Sequence, residues 1–202
     1  MKPPFFACIA IAVTMLACQP SVKKTEPVIN QPVTSSKHTA SFNTAIDSAL
    51  SVYYQMTEAF VQWDSLSLSS LAKQTAIQWN EVDVSNAKFE NDSQQKKAAQ
   101  YLAGFTSYVH NISTAATLDA ARRFFQTASE QLAQFLQFIK YDSHKLFLQE
   151  CPMAFNDEET ATWISAAPEI RNPYLGLHHP RYKSGMLHCG TTKEEINYTG
   201  TK

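Results

Sequence analysis

From Phe42 onward, apolar side chains recur every three to four residues. Ile46, Leu50, Tyr53, Tyr54, Phe60 and Val61 describe one broad stripe, with Asp47, Ser48, Gln55 and Glu58 mostly on the other side. That period marks an amphipathic helix and predicts a first helix ending near Trp63-Asp64. After Ser65-Leu66-Ser67, where serine is available as an N-cap, Leu68, Leu71, Ala72, Thr75, Ala76 and Trp79 repeat the period. Asn80 to Asp92 is polar and broken. A third helix is predicted from about Ser93 through Ala98, Tyr101, Leu102, Phe105, Tyr108, Val109 and Ile112, and a fourth after Thr117 through Leu118, Ala121, Phe124, Phe125, Ala128, Leu132, Phe135, Leu136 and Ile139. Four such helices with short links predict a mostly α fold, an antiparallel four-helix bundle. Phe124, Phe125, Phe135 and Phe138 read as core, because aromatics at helical spacing are there to be buried.

Beyond Tyr141 the period is lost. Lys145 to Glu150 reads as an extended segment delivering Cys151, with Pro152 preventing helix continuation. Gly185-Met186-Leu187-His188-Cys189-Gly190 is a second short segment, and pairing of the two as strands would bring both cysteines close. A small irregular, β-hairpin-like tail is therefore expected within 141–195. Between the two segments, Glu159 to Trp163 is expected as one helical turn and Asn172-Pro173-Tyr174-Leu175-Gly176 as a turn.

The N-terminus sets the compartment. Lys2, the apolar run Phe5 to Leu16 and the small residue before Cys18 describe a secretory signal, too short to span a membrane. Ala17-Cys18 also suits lipoprotein processing, with Cys18 as the lipidated first residue, and Gln19 at the next position directs a Gram-negative lipoprotein towards the outer membrane. The expected organisation is a signal peptide over 1–18, a tether over 19–40 broken by Pro20, Pro27 and Pro32, and a single domain over 41–202. The expected location is the cell envelope facing the periplasm, with the membrane met only through the lipid anchor. Formal charge is −1; loss of Lys2 with the leader leaves Lys+Arg at 16 against Asp+Glu at 18, or −2. Nothing in that balance recruits nucleic acid.

Composition then narrows the chemistry to sulfur. Of four cysteines, Cys8 leaves with the leader and Cys18 is its boundary, so Cys151 and Cys189 are the thiols of the domain. Each sits in a short motif with a methionine, Cys151-Pro152-Met153 and Met186-Leu187-His188-Cys189. Thiolate and thioether donors are soft and select Cu(I) or a related ion, and His188 would widen the range. The candidate metal set is Cys151, Met153, Met186, Cys189 and His188. An exported protein also lives where disulfides form, so a Cys151–Cys189 bridge stays open beside the metal, and core packing stays open for Met153 and Met186. His110 has no second ligand at helical spacing, and Arg122-Arg123 reads as a solvated pair. No orienting group or oxyanion hole accompanies the cysteines, so no enzyme is expected.

Cys151-Pro152-Met153-Ala154, Trp163-Ile164-Ser165, Glu169-Ile170-Arg171-Asn172-Pro173-Tyr174-Leu175-Gly176 and Met186-Leu187-His188-Cys189-Gly190 resemble the signature blocks of an uncharacterised domain family. That family occurs in small secreted lipoproteins and as a C-terminal domain of periplasmic adaptor subunits of RND-type heavy-metal efflux pumps. The resemblance extends more weakly backwards, over Leu118 to Leu132 and Ala59 to Ala72, and covers most of Ser41 to Glu195. It implies copper or a related soft metal as cargo. The competing expectation is a disulfide-stapled interaction module without metal that docks on an efflux adaptor or other envelope protein, for which Glu169, Arg171, Asn172 and Tyr174 are the candidate contacts. Two departures stand out: an insertion, Leu177 to Ser184, where the family has a very short turn, and Glu159-Thr160-Ala161 where it favours Gly-Ala. The insertion either separates the ligand-bearing segments or adds His178 and His179 to them.

Overall fold

In the computed structural model, which describes residues 36–200, each helical period begins at a polar N-cap. Thr39, Asp64, Asn91 and Thr117 accept from the backbone N–H three residues on, supplying an acceptor that the first turn lacks. The helices are α1 (Ala40–Gln62), α2 (Ser65–Asn80), α3 (Asp92–Ser113) and α4 (Leu118–Ile139). Trp63 and Lys140 end α1 and α4 in the left-handed conformation. The fold is mostly α, and the described helices match the sequence period to within a few residues. The signal segment, Cys18 and the tether up to residue 35 lie outside the described residues.

The core grows from the stripes. α1 packs on α2, α2 on α3 and α3 on α4, while α1 and α4 meet through large side chains. Phe60 and Phe125 lie 4.6 Å apart between ring centroids, and the Tyr53 hydroxyl is 2.8 Å from Ser129 Oγ. Trp79, fully buried, meets the edges of Phe105 and Phe135. The last residues of the expected tether are fixed rather than loose. Ser36 Oγ and the Lys37 N–H donate to the Asp142 carboxylate, and His38 is buried with Nε2 2.8 Å from the Ile139 carbonyl.

A three-stranded antiparallel sheet of order β2-β1-β3 follows, made of β1 (Leu146–Phe155), β2 (Glu159–Ser165) and β3 (Thr191–Ile196). It corrects the expected tail in two places. Glu159 to Trp163 is strand and not a helical turn: its Thr160, Thr162, Trp163 and Ile164 suit a pleated, half-buried surface, and it pairs with β1 from Phe155↔Glu159 to Phe147↔Ser165. Gly185 to Gly190 is a turn and not a strand; the chain joins the sheet only at Thr191, opposite Glu150. Pro152 is accommodated in the central strand because the β1–β2 register is irregular between Cys151 and Phe155, where no ladder N–H is demanded. The sheet is fastened to the helices through α4 packing on β2 and through the Ile164 N–H, which donates to the buried Tyr53 hydroxyl at 3.1 Å.

Candidate metal centre

Cys151 lies in the central strand opposite Ala161, with no exposed surface. Cys189 is half-buried, and its Sγ stands 3.4 Å from Cys151 Sγ with both thiols free. The approach depends on how the chain enters β3. Gly190 has φ 141°, and a Cβ there would sit 2.5 Å from the Glu150 carbonyl oxygen, so glycine allows Cys189 to be laid against the strand that holds Cys151. The Cys189 N–H closes a turn on the Met186 carbonyl at 3.0 Å.

Asn172, fully buried, holds that turn in place. Its Nδ2 donates to the Cys189 carbonyl at 2.7 Å and its N–H to the Leu187 carbonyl at 2.8 Å. Its Oδ1 accepts from the Tyr174 and Leu175 N–H groups at 2.8 and 3.0 Å. Asparagine suits the position because its short amide both donates and accepts. Behind it Gln149 donates Nε2 towards the carbonyls of Ala167, Pro168 and Glu169. Tyr174 is buried and donates its hydroxyl to the Thr162 carbonyl at 2.6 Å.

The other expected site residues are arranged differently. Met153 and Met186 are half-buried and packed against the core. His188 is exposed, and its Nδ1 is 2.8 Å from the Ile170 carbonyl. His178 is exposed, while His179 accepts at Nδ1 from the Arg181 and Tyr182 N–H groups and packs edge-on against Trp63. Among the described residues no group of three or more His, Cys, Asp or Glu gathers as a metal site. Of the expected partner contacts, Glu169 and Arg171 are exposed, Arg171 pairing with Glu58 at 2.9 Å through Nε. Asn172 and Tyr174 are instead buried, because their polar atoms are spent on the turn and the sheet.

The donor set fits a soft ion. Two metal–sulfur bonds of about 2.3 Å at a tetrahedral angle span about 3.8 Å, so the thiols need move apart by only a few tenths of an ångström. A disulfide of about 2.05 Å needs more than an ångström of closure. Burial, with the adjoining Cys151, pushes the Cys189 thiol up to about 11. Near neutral pH this thiol is therefore protonated, a poor nucleophile, and it must release a proton to bind metal.

Sequence reasoning missed Arg122. It is 2% exposed, donates Nε to the Pro173 carbonyl and Nη2 to the Phe60 carbonyl, both at 3.2 Å, and lies 3.9 Å over the Trp63 ring. It closes the C-terminus of α1, whose carbonyls lack helical partners, and ties it to the Asn-Pro-Tyr turn. Its place in the stripe of Leu118, Ala121, Phe125 and Ala128 was the available signal. Gly176 makes the same junction possible: it has φ 55°, and a Cβ would lie 2.4 Å from the Val61 carbonyl oxygen.

Residues 49–144 match the model of a family described as "Protein of unknown function (DUF3347)". Over this stretch the chain is similar to that uncharacterised domain family. The DUF3347 match takes in α2, α3, α4 and most of α1 and ends just before β1. The blocks from Cys151 onward lie outside it. No curated protein and no solved structure matches the chain.

Proposed function

We propose that the chain is an exported lipoprotein whose Cys151–Cys189 pair holds a soft metal ion, Cu(I) by preference, for metal handling or resistance in the envelope. The observation that carries this reading is the 3.4 Å approach of two unbonded thiols, one buried and one half-buried. Soft thiolates favour Cu(I) over hard cations, and the flanking Met153 and Met186 offer thioethers of the same softness. Burial of Cys151 keeps water from one side, while partial exposure of Cys189 leaves a way in. We read the DUF3347 helices as an antiparallel bundle that serves as the platform for the sheet. No catalytic role is assigned, since a thiol held protonated and without a base attacks nothing.

Titration of the reduced protein with Cu(I) against a competing chelator tests this. The expected result is one ion per chain, lost in Cys151→Ser and in Cys189→Ser and weakened in Met153→Leu and Met186→Leu. Because Cys189 gives up its proton, apparent affinity should rise at least about tenfold per pH unit around neutrality. Undiminished binding in the double cysteine variant would refute the site. Absence of binding, with both thiols readily oxidised to a bridge, would favour a disulfide-stapled module that docks on an efflux adaptor or another envelope partner.

A further inference from the structure

We propose that a cavity between the end of α1, the first turn of α4 and the inserted loop binds a small organic carboxylate, with Arg122 as its charge partner. The cavity measures about 310 Å³ and is walled by Trp63, Arg122, Tyr174, His179 and the β1–β2 turn. That volume lies at the small end of ligand pockets.

Two charges on this wall, Arg123 and Asp157, are closed by near partners, whereas Arg122 and Asp119 face one another only loosely. Arg123 is paired with Glu159 through both terminal nitrogens, Nη1 and Nη2. Asp157 is fully engaged, accepting from Arg181 Nη1 at 2.6 Å and from the Tyr182 hydroxyl at 2.7 Å. Arg122, by contrast, spends Nε and Nη2 on carbonyls, and its buried Nη1 has no hydrogen-bond partner among the described residues. The nearest carboxylate to Nη1 is Asp119, at 3.8 Å and with a side chain 90% exposed, too far for a hydrogen bond and too solvated to neutralise a buried cation. A buried guanidinium with an unused donor calls for an anion.

The remaining wall says which kind. His179 accepts at Nδ1 from two backbone N–H groups, which places the proton of its neutral ring on Nε2, a second donor. Burial, and then the nearby Arg122, hold this ring below its usual range, in keeping with a positive local field. His179 and Arg122 both pack on the Trp63 indole. One carboxylate oxygen is assigned to Arg122 Nη1 and the other to His179 Nε2, with an apolar body along Trp63 and Tyr174. Asp119 swings aside to admit it.

Benzoate serves as the probe, with chloride at matched ionic strength as the control, read by tryptophan fluorescence and by thermal stabilisation. Saturable binding is expected, at least about tenfold weaker in Arg122→Gln, which removes a charged donor, and several-fold weaker in His179→Phe, which keeps the ring packing. Since Arg122→Gln also removes the cap of α1, Asp119→Asn is the variant that decides. Removing this competing charge tightens binding about fivefold, from the roughly 1 kcal/mol that unit charges 4 Å apart exchange in water, whereas a purely structural arginine gives no change. Cys151→Ser leaves the response intact, which separates this site from the thiol pair. A response no greater than that to chloride in both the wild type and Asp119→Asn overturns the proposal, as does an affinity that Asp119→Asn leaves unaltered.

Discussion

The helical half and the sheet half of this chain are held together by different physics. In the helices, apolar stripes repeat in register and interlock, so Phe60, Trp79, Phe105, Phe125 and Phe135 disappear from solvent with few polar atoms among them. The sheet half also buries apolar side chains, Phe155, Trp163 and Ile164 among them, and adds buried polar ties around the Cys189 turn. Gln149 and Asn172 have no exposed surface, and Arg122 reaches across from α4 to the same turn. Apolar packing tolerates small adjustments, because area and volume are what count. A polar tie works only with its partners in place, since each abandoned buried donor or acceptor costs its own desolvation. A half that must hold two thiols 3.4 Å apart gains from the second kind of construction.

Phe125 touches both halves: its ring lies 5.7 Å from Tyr53, 4.6 Å from Phe60 and 5.8 Å from Tyr174. Phe125→Ala should cost about 3–5 kcal/mol, a large share of the stability of a domain this size. Urea unfolding should show one cooperative transition moved to lower denaturant in both halves. Asn172→Ala should cost about 2–3 kcal/mol through the carbonyls and N–H groups it abandons. Unlike Phe125→Ala at equal residual folding, it should also expose Cys151 to thiol reagents, because the Cys189 turn loses its anchor. Equal thiol protection in the two variants would erase the distinction between the halves.

The smallest effect sharpens the contrast from the helical side. His38 donates from Nε2 to Ile139 and accepts at Nδ1 from the Lys88 N–H. Burial holds it below its usual 6.5. Since the folded value lies below the unfolded one, this neutral ring contributes stability that is full above about pH 6.5 and lost as pH falls through the folded value. The slope is at most about 1.4 kcal/mol per pH unit. His38→Gln should flatten the stability profile just below about pH 6.5, and an unchanged slope there would show that the tie is not sensed.

Sequence reading succeeded where the determinants are local. The four helices follow from a period of apolar residues and from capping residues at its edges, which any window of the chain displays. The sheet was harder, because its strands draw on residues far apart in the chain: β3 pairs with a strand some forty residues earlier, and no local pattern marks Thr191-Thr192-Lys193-Glu194-Glu195 as its partner. Glu159 to Trp163 was misread since five residues with mixed exposure fit a turn of helix as well as a strand, and only the ladder with β1 decides. The proximity of Cys151 and Cys189 was anticipated on the wrong grounds: the segment before Gly190 is a turn fixed by Asn172, not a paired strand. Arg122 was visible as a charge inside an apolar stripe, but its value lies in carbonyls of Phe60 and Pro173 that the sequence places 62 and 51 residues away.

X-ray absorption at the copper edge of the reduced, Cu(I)-loaded protein reads which atoms of the chain hold the ion. A first shell of sulfur alone, lost when Cys151 and Cys189 are changed to serine, is the predicted result. A shell of nitrogen or oxygen, or one that survives the loss of both cysteines, would contradict it and move the metal away from this pair.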